Sequence, residues 1–154
     1  LTKPQPVNIQ NQATFILADL APKAVDKQIE LELIADDDLP NIRGNATQIG
    51  ILIRNLVDNA IRYTPNAGNV SVSIHHIENA VELAVTDSGP GIPEELRERV
   101  FERFFRVVGN QAPGSGLGLG IVSQITNLHR ADLKLETAPS GQGLCVKITF
   151  PVSK

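Results

Sequence analysis

The sequence contains a single cysteine, no methionine and no tryptophan. One cysteine, Cys145, excludes a disulfide within the chain and a zinc site built from clustered cysteines. No apolar run reaches the ~18–20 residues that a transmembrane helix needs, so we do not expect this segment to be membrane-inserted. Basic residues are not in excess, because the formal net charge is −3, which argues against a nucleic-acid-binding or anionic-membrane-binding domain.

The remaining composition is typical of one globular domain. The chain has 154 residues, of which 42% are hydrophobic and 20% are charged. This is the size of an ordinary domain, so we expect a single domain over residues 1–154. The first residues, Leu1-Thr2-Lys3-Pro4, are neither an initiator methionine nor a signal peptide. We therefore expect a fragment of a longer protein that works in a reducing compartment.

Apolar residues repeat at helical spacing in three segments. The first segment predicts a helix over roughly residues 9–25, with Asn8 as its N-cap. The second predicts a helix over residues 46–63, with Asn45 as its N-cap. The third begins near Leu117 and follows a glycine-rich stretch.

Alternation of apolar and polar residues predicts five strands. The five runs cover residues 29–34, 70–75, 81–86, 133–137 and 144–150. The second and third runs are joined across Glu78-Asn79, as in a β-hairpin. The aspartates at positions 36–38, before Pro40, predict a solvated turn. The order of elements predicts an α+β fold with a mixed or antiparallel sheet and helices on one face.

One face of the second predicted helix carries polar residues in register. Asn55, Asn59 and Arg62 follow one another at spacings of four and three, with Asp58 beside them. Amide oxygens are ligands for hard cations and arginine pairs with phosphate, so this face could bind a metal–phosphate group. The helix by itself fits a simply solvated polar face as well.

Two glycine-rich segments are candidates for ligand binding. The segment Asp87-Ser88-Gly89-Pro90-Gly91-Ile92-Pro93 directly follows a predicted strand. Its carboxylate could accept a hydrogen bond from an exocyclic amine, or the segment could be a tight turn. The segment Gly114-Ser115-Gly116-Leu117-Gly118-Leu119-Gly120 opens the third helix and predicts a phosphate site, or alternatively a flexible hinge. This second segment has neither P-loop spacing nor that of a Rossmann or protein-kinase glycine loop.

Other side chains carry weaker signals. The run from Phe101 to Arg106 holds three of the five phenylalanines and could be core, the hinge of a lid or a docking patch. We expect His75, His76 and His129 to be structural or exposed, and Cys145 to be a small packing residue.

Taken together and in this order, these segments resemble the catalytic, ATP-binding domain of bacterial sensor histidine kinases, which is part of the GHKL superfamily. The similarity extends from about Asn8 to Val152. The matching segments are 55–64 (N box), 87–93 (G1 box), 101–106 (F box) and 114–120 (G2 box). The F box favours histidine kinases over gyrase, MutL or Hsp90 relatives, and residues 112–116 are similar to the QseC and PmrB subgroup.

The resemblance implies the Bergerat fold, a two-layer α/β sandwich with a mixed sheet of about five strands, three main helices on one face and a mobile ATP lid. It implies that ATP and Mg²⁺ are the cofactors. The catalytic residues would be Asn55, Asn59, Arg62 and Arg106, with Asn59 as the Mg²⁺ ligand. The ATP-binding residues would be Asn55, Asn59, Arg62, Tyr63, Asp87, Gly89, Gly91, Ile92, Phe104, Gly114, Ser115, Gly116, Leu117, Gly118 and Leu119.

Within that set, the resemblance implies a division of roles. Asp87 would accept a hydrogen bond from the adenine amino group, and Tyr63 would lie against the nucleoside. The backbone amides of Gly116 and Gly118 would hold phosphates, and Arg106, in a lid over residues 105–116, would reach the γ-phosphate.

The implied activity is that of a sensor protein histidine kinase, which transfers the γ-phosphoryl group of ATP to a histidine. That histidine would lie on a separate helical dimerisation domain of the same protein, because none of the three histidines here is followed by a Glu/Asp-x-x-Thr-Pro segment. A response regulator receiver domain would be the next partner. The parent protein would be a homodimer in the bacterial inner membrane, with this domain in the cytoplasm.

The sequence departs from the family pattern at one position, and it leaves two alternative functions open. The last strand of the family opens Gly-x-Gly-Thr, whereas Leu144 follows Gly141-Gln142-Gly143 here, so a hydroxyl contact to adenine is in doubt. A related ATPase or serine kinase is one alternative, although no glutamate precedes Asn55 or Asn59 to activate water. A nucleotide-binding interaction module without phosphoryl transfer is the other.

Overall fold

The computed structural model describes residues 3–92, 95 and 119–152. The helices of this part of the chain are α1 (Ile9–Asp26), α2 (Ala46–Tyr63) and α3 (Leu119–Leu128). Its strands are β1 (Gln5–Val7), β2 (Glu30–Ala35), β3 (Ile42–Gly44), β4 (Asn69–Ile77), β5 (Ala80–Asp87), β6 (Asp132–Thr137) and β7 (Leu144–Pro151). The predicted helices and five long strands are confirmed to within two residues at their described ends. The predicted start of the third helix, near Leu117, lies outside the described residues.

The five long strands form one mixed sheet in the order β2-β4-β5-β7-β6. β2 lies parallel to β4, and the other neighbouring pairs are antiparallel. β5 is therefore the central strand, and its end at Asp87 lies beside the start of β7, where Thr86 pairs with Cys145. This topology places residues that are almost 60 positions apart in the chain side by side, at the adjoining ends of β5 and β7.

Two further strands, β1 and β3, form a small antiparallel sheet that the sequence pattern did not predict. Each has only three residues, which is too short for alternation to be recognised. Val7 of β1 and Ile42 of β3 are nonetheless buried in the core.

The expected N-caps are confirmed at both long helices. The side chain of Asn8 accepts a hydrogen bond from the backbone N–H of Asn11 at 3.0 Å, and that of Asn45 accepts one from the N–H of Gln48 at 3.0 Å. Each asparagine satisfies a helix-start N–H that has no partner within the helix. The caps fix where α1 and α2 begin, and the apolar stripe of each helix decides which residues face the core.

The helices and the inward face of the sheet enclose one hydrophobic core. The inward strand residues are Val70, Val72, Ile74, Val81, Leu83, Val85, Val146, Ile148 and Phe150. Their neighbours on the opposite face, such as Ser71, Ser73 and Glu82, are only half-buried. The fold is thus the expected two-layer arrangement, with helices on one face.

The three histidines have structural or exposed positions, as expected. His129 accepts a hydrogen bond from the backbone N–H of Asn45 at Nε2 (3.0 Å), and its Nδ1 lies 2.8 Å from the carbonyl oxygen of Ile125. His75 lies on β4 with Nδ1 3.0 Å from Asp36. Asp36 also accepts from the N–H of His76, so one of the three aspartates expected in a solvated turn is anchored to the sheet.

No helix among the described residues is long and apolar enough to cross a membrane.

Candidate functional site

A pocket opens between α2 and the adjoining ends of β5 and β7. It is lined by Leu56, Asn59, Ala60, Tyr63, Val85, Asp87, Pro90, Gly91, Ile92, Leu119, Leu144 and Val146. Asn59, Tyr63 and Asp87 provide its polar side chains, and the remaining lining is apolar apart from backbone. A largely apolar slot with a carboxylate in its lining suits a flat ring that carries a hydrogen-bond donor.

The structure brings several of the predicted site residues together at this pocket. Six of them line it: Asn59, Tyr63, Asp87, Gly91, Ile92 and Leu119. Asn55 and Arg62 lie on the same helix as Asn59, and Gly89 lies in the turn after β5. The remaining predicted residues, Phe104, Arg106, Gly114, Ser115, Gly116, Leu117 and Gly118, lie outside the described residues, as does the expected lid.

Asp87 is held in place by two backbone N–H groups. The N–H of Gly89 donates to Oδ1 of Asp87 at 2.9 Å, and the N–H of Leu144 donates to the same oxygen at 3.2 Å. No described group donates to Oδ2, so that oxygen keeps its capacity to accept. Burial raises the pKa of Asp87, and the two backbone hydrogen bonds oppose that rise. The carboxylate is therefore oriented, mostly buried and available to a donor from a ligand.

This raised pKa predicts a pH dependence of stability. The native state binds the proton of Asp87 more tightly than the unfolded chain, in which the pKa is near 3.8. The stabilising contribution is thus full below that value and is lost as pH rises through the pKa of the folded state. Asp87→Asn should remove this part of the slope, which urea denaturation of both proteins across a pH series would measure. Identical slopes in the two proteins would contradict a raised pKa.

Close backbone packing supports the turn that carries Asp87. A Cβ at Gly89 would lie 2.7 Å from the carbonyl oxygen of Tyr63, and Gly91 has a φ of +77°. Gly143, with a φ of +104°, lies so close to the backbone of Asp87 that a Cβ would collide with the Asp87 carbonyl oxygen. Gly143 was not among the predicted site residues, although the Gly141-Gln142-Gly143 pattern before the last strand was its signal.

The polar face of α2 lies partly at the pocket rather than fully in solvent. Asn59 lines the pocket, and its Nδ2 is buried without a hydrogen-bond partner among the described residues. Arg62 donates from Nη2 to Oδ2 of Asp58 at 2.8 Å. Oδ1 of the same carboxylate accepts from Nζ of Lys23, on α1, at 3.2 Å. A buried, unsatisfied amide costs free energy, so this group of Asn59 is a candidate for binding a partner other than the described residues.

Leu144, which replaces the threonine of the family pattern, makes this part of the pocket wall apolar. The Leu144 side chain lines the pocket, so an apolar group stands where the family pattern has a hydroxyl. Its backbone N–H still donates to Asp87. One hydrogen bond that orients the carboxylate thus comes from the backbone of Leu144, and the Leu144 side chain has no hydroxyl to offer a ligand.

The other apolar walls could not be found from a local motif. Leu56, Ala60, Val85 and Val146 line the pocket, yet in the sequence they belong to the ordinary apolar periodicity of α2, β5 and β7. The same apolar periodicity produces core residues and pocket-lining residues, so only the packed structure shows which of them line the pocket.

Comparison with known proteins gives a consistent result. Residues 44–154 match the family described as histidine kinase-, DNA gyrase B- and HSP90-like ATPases. The adaptive-response sensory kinase SasA of Rippkaea orientalis is 39% identical over 136 residues, covering 86% of this chain and 34% of that protein. The sensor protein kinase PmrB of Pseudomonas aeruginosa is 37% identical over 147 residues, covering 95% of this chain and 30% of that protein.

A solved structure extends the similarity to the whole described fold. The mycobacterial sensor histidine kinase MprB aligns with a TM-score of 0.85 and 33% identity, covering 96% of this chain and 97% of that one. The chain spans about a third of the length of the curated relatives that it matches.

Proposed function

The chain belongs to the family of histidine kinase-, DNA gyrase B- and HSP90-like ATPases, and from this premise we propose that its pocket binds Mg-ATP for phosphoryl transfer to a histidine. The acceptor histidine lies on a separate helical dimerisation domain of the same protein. The observation that carries the proposal is the oriented Asp87 carboxylate in the lining of an otherwise largely apolar slot.

The slot matches the chemistry of an adenine ring. The 6-amino group of adenine donates hydrogen bonds, and Asp87 has an oxygen that accepts none from the described residues. Side chains such as Ile92, Leu119 and Leu144 provide apolar surface for the faces of the ring. The carboxylate repels the 6-oxygen of guanine, so the pocket favours ATP over GTP.

Asn59 and Arg62, on the polar face of α2, fit a metal–phosphate group. The Asn59 amide lies at the pocket with an unsatisfied buried atom, and rotation of the amide by 180° presents its oxygen there instead. Mg²⁺ prefers oxygen ligands and commonly combines few protein ligands with phosphates and water. Bound Mg²⁺ would neutralise charge on the phosphates, and Arg62 would pair with a phosphate directly.

The phosphoacceptor has to come from elsewhere in the parent protein. His129 is engaged at both ring nitrogens, His75 lies beside Asp36, and none of the three histidines lines the pocket. Phosphoryl transfer depends mainly on positioning and charge neutralisation, which this pocket can provide without its own nucleophile. We place the domain on the cytoplasmic side of a homodimeric inner-membrane sensor, with a response regulator receiver domain as the final phosphate acceptor.

The decisive experiment uses the full-length parent protein with ATP labelled at the γ-phosphate. We expect acid-labile, base-stable phosphate on the protein, followed by transfer to a purified receiver domain. Release of inorganic phosphate without labelled protein would instead indicate an ATPase. Acid-stable label would indicate a serine kinase, and binding without either product would indicate an interaction module.

Asn59→Ala should remove the dependence of ATP binding on Mg²⁺. We expect the affinity measured with Mg²⁺ to fall by about tenfold and to become similar to that measured without it. Asn59 is only half-buried, so little core packing is lost. Calorimetric titration with and without Mg²⁺ measures the effect, and Asn41→Ala, at an exposed position, is the matched control. Equal Mg²⁺ enhancement in the variant and the parent would contradict the assignment.

A further inference from the structure

The last carbonyls of α2, like those of any α-helix, have no N–H partner within the helix. In an α-helix, the carbonyl oxygen of residue 61 accepts from the N–H of residue 65. Here residue 65 is Pro65, which has no N–H, so Ile61 has no such partner. The N–H of Ala67, four residues after Tyr63, donates to the carbonyl of Lys27 instead, at 2.9 Å. The last turn of α2 therefore depends on donors from outside the helix.

Lys27 provides the missing donor. Its Nζ donates to the carbonyl oxygen of Ile61 at 2.8 Å and to that of Arg62 at 3.0 Å. Lys27 is itself the C-cap of α1, with its own N–H donating to the carbonyls of Ala24 and Val25. The side chain is half-buried, and desolvation lowers the pKa of its ammonium group. A charged donor that is partly removed from water and bonded to two carbonyls is a specific contact.

Lys27 is also the last in a series of polar contacts between α1 and α2. Asp19 pairs with Arg54 at 2.7 Å, and Lys23 pairs with Asp58 at 3.2 Å. Positions 19, 23 and 27 follow at helical spacing, as do 54, 58 and 62, so the two helices run side by side in the same direction. Of the three contacts, that of Lys27 reaches backbone rather than a side chain, so it restrains the path of the α2 chain itself.

The turn that Lys27 holds is the one that carries Arg62 and Tyr63. The same turn also packs against Gly89, whose missing Cβ allows the Tyr63 carbonyl to approach. Of the three successive carbonyls at residues 61 to 63, the first two contact Lys27 and the third contacts the turn after Asp87. Tyr63 lines the pocket, and Arg62 projects from the same turn.

We propose that Lys27 is a positioning residue for the nucleotide site: it fixes the last turn of α2 so that Arg62 and Tyr63 are held against the ligand. The inference rests on the proposed function in that the ligand is ATP. Lys27 does not itself touch the ligand and acts through the backbone of Ile61 and Arg62.

Three variants and one control test this role. Lys27→Met, which keeps the apolar stem, should raise the ATP dissociation constant about fivefold. Lys27→Arg keeps a cationic donor and should restore affinity to within about twofold of the parent. Lys27→Gln, with a neutral donor, should lie between them. Lys134→Met, on the exposed face of edge strand β6, should leave affinity unchanged. Parent-like affinity of both Lys27→Met and Lys27→Gln would overturn the proposal.

A double-mutant cycle separates positioning from a general loss of structure. In an Arg62→Ala background, Lys27→Met should weaken ATP binding by clearly less than fivefold, because one of the two side chains that Lys27 positions is gone while Tyr63 remains. The same fivefold loss in both backgrounds would mean that Lys27 does not act through Arg62 and would overturn this step.

Hydrogen exchange distinguishes failure of this inference from failure of the proposed function. The N–H of Thr64 donates to the carbonyl of Ala60 in the last turn of α2, so its exchange reports on that turn without any nucleotide. It should become faster in Lys27→Met and not in Lys134→Met. Unchanged exchange overturns the Lys27 role. If the unsubstituted protein does not bind ATP but Thr64 still exchanges faster in Lys27→Met, the proposed function is wrong and the role of Lys27 in the last turn of α2 stands.

Discussion

Replacing Asp87 by asparagine is expected to weaken ATP binding by roughly 10–100-fold while leaving the protein folded. The asparagine carbonyl oxygen can accept the same two hydrogen bonds, from the N–H groups of Gly89 and Leu144, that Oδ1 of Asp87 accepts now. Its NH₂ group then stands in place of Oδ2. A donor that faces the adenine amino group repels it, whereas it complements the 6-oxygen of guanine.

The preference for ATP over GTP should therefore shrink or reverse in Asp87→Asn. Competition of each nucleotide against a fluorescent ATP analogue measures both affinities in one assay. Asp132→Asn, at an exposed position of β6, changes the net charge equally and should leave both affinities unchanged. If the unsubstituted protein binds GTP as tightly as ATP, Asp87 does not select the base.

Replacing Gly143 by alanine should lower the free energy of unfolding by about 2–4 kcal/mol, because it combines backbone strain with a steric overlap. Its φ of +104° is disfavoured for alanine, and the added Cβ would collide with the carbonyl oxygen of Asp87. Since the Asp87 turn has to move to relieve that overlap, ATP binding should weaken as well.

Gly141→Ala is a matched control for this change. Gly141 has a φ of +90° in the same turn, but a Cβ there would have no described atom within 4 Å. It should cost only the backbone strain, about 1 kcal/mol. Urea denaturation of both variants isolates the contribution of the overlap, and equal losses in the two would contradict a close approach of Gly143 to Asp87.

The position of the site on the fold was only partly predictable. Asp87 and Gly91 could be found because the motif follows a strand and the chemistry of its residues is local. The role of the Leu144 backbone could not, since its N–H reaches Asp87 through pairing between strands that are distant in the chain. The same holds for Lys27, since the carbonyls that it contacts are 34 and 35 residues away in the chain and no local motif links them.

The sequence by itself determined the helices, the five long strands and their order along the chain, because caps and apolar periodicity act over a few neighbouring residues. It also determined the identity of polar groups that line the pocket, such as Asn59 and Asp87. Only the tertiary structure decided the order β2-β4-β5-β7-β6, the small β1–β3 sheet and the closeness of Gly143 to Asp87. These features depend on which distant segments bury their apolar faces together, and a local pattern carries no information about that choice.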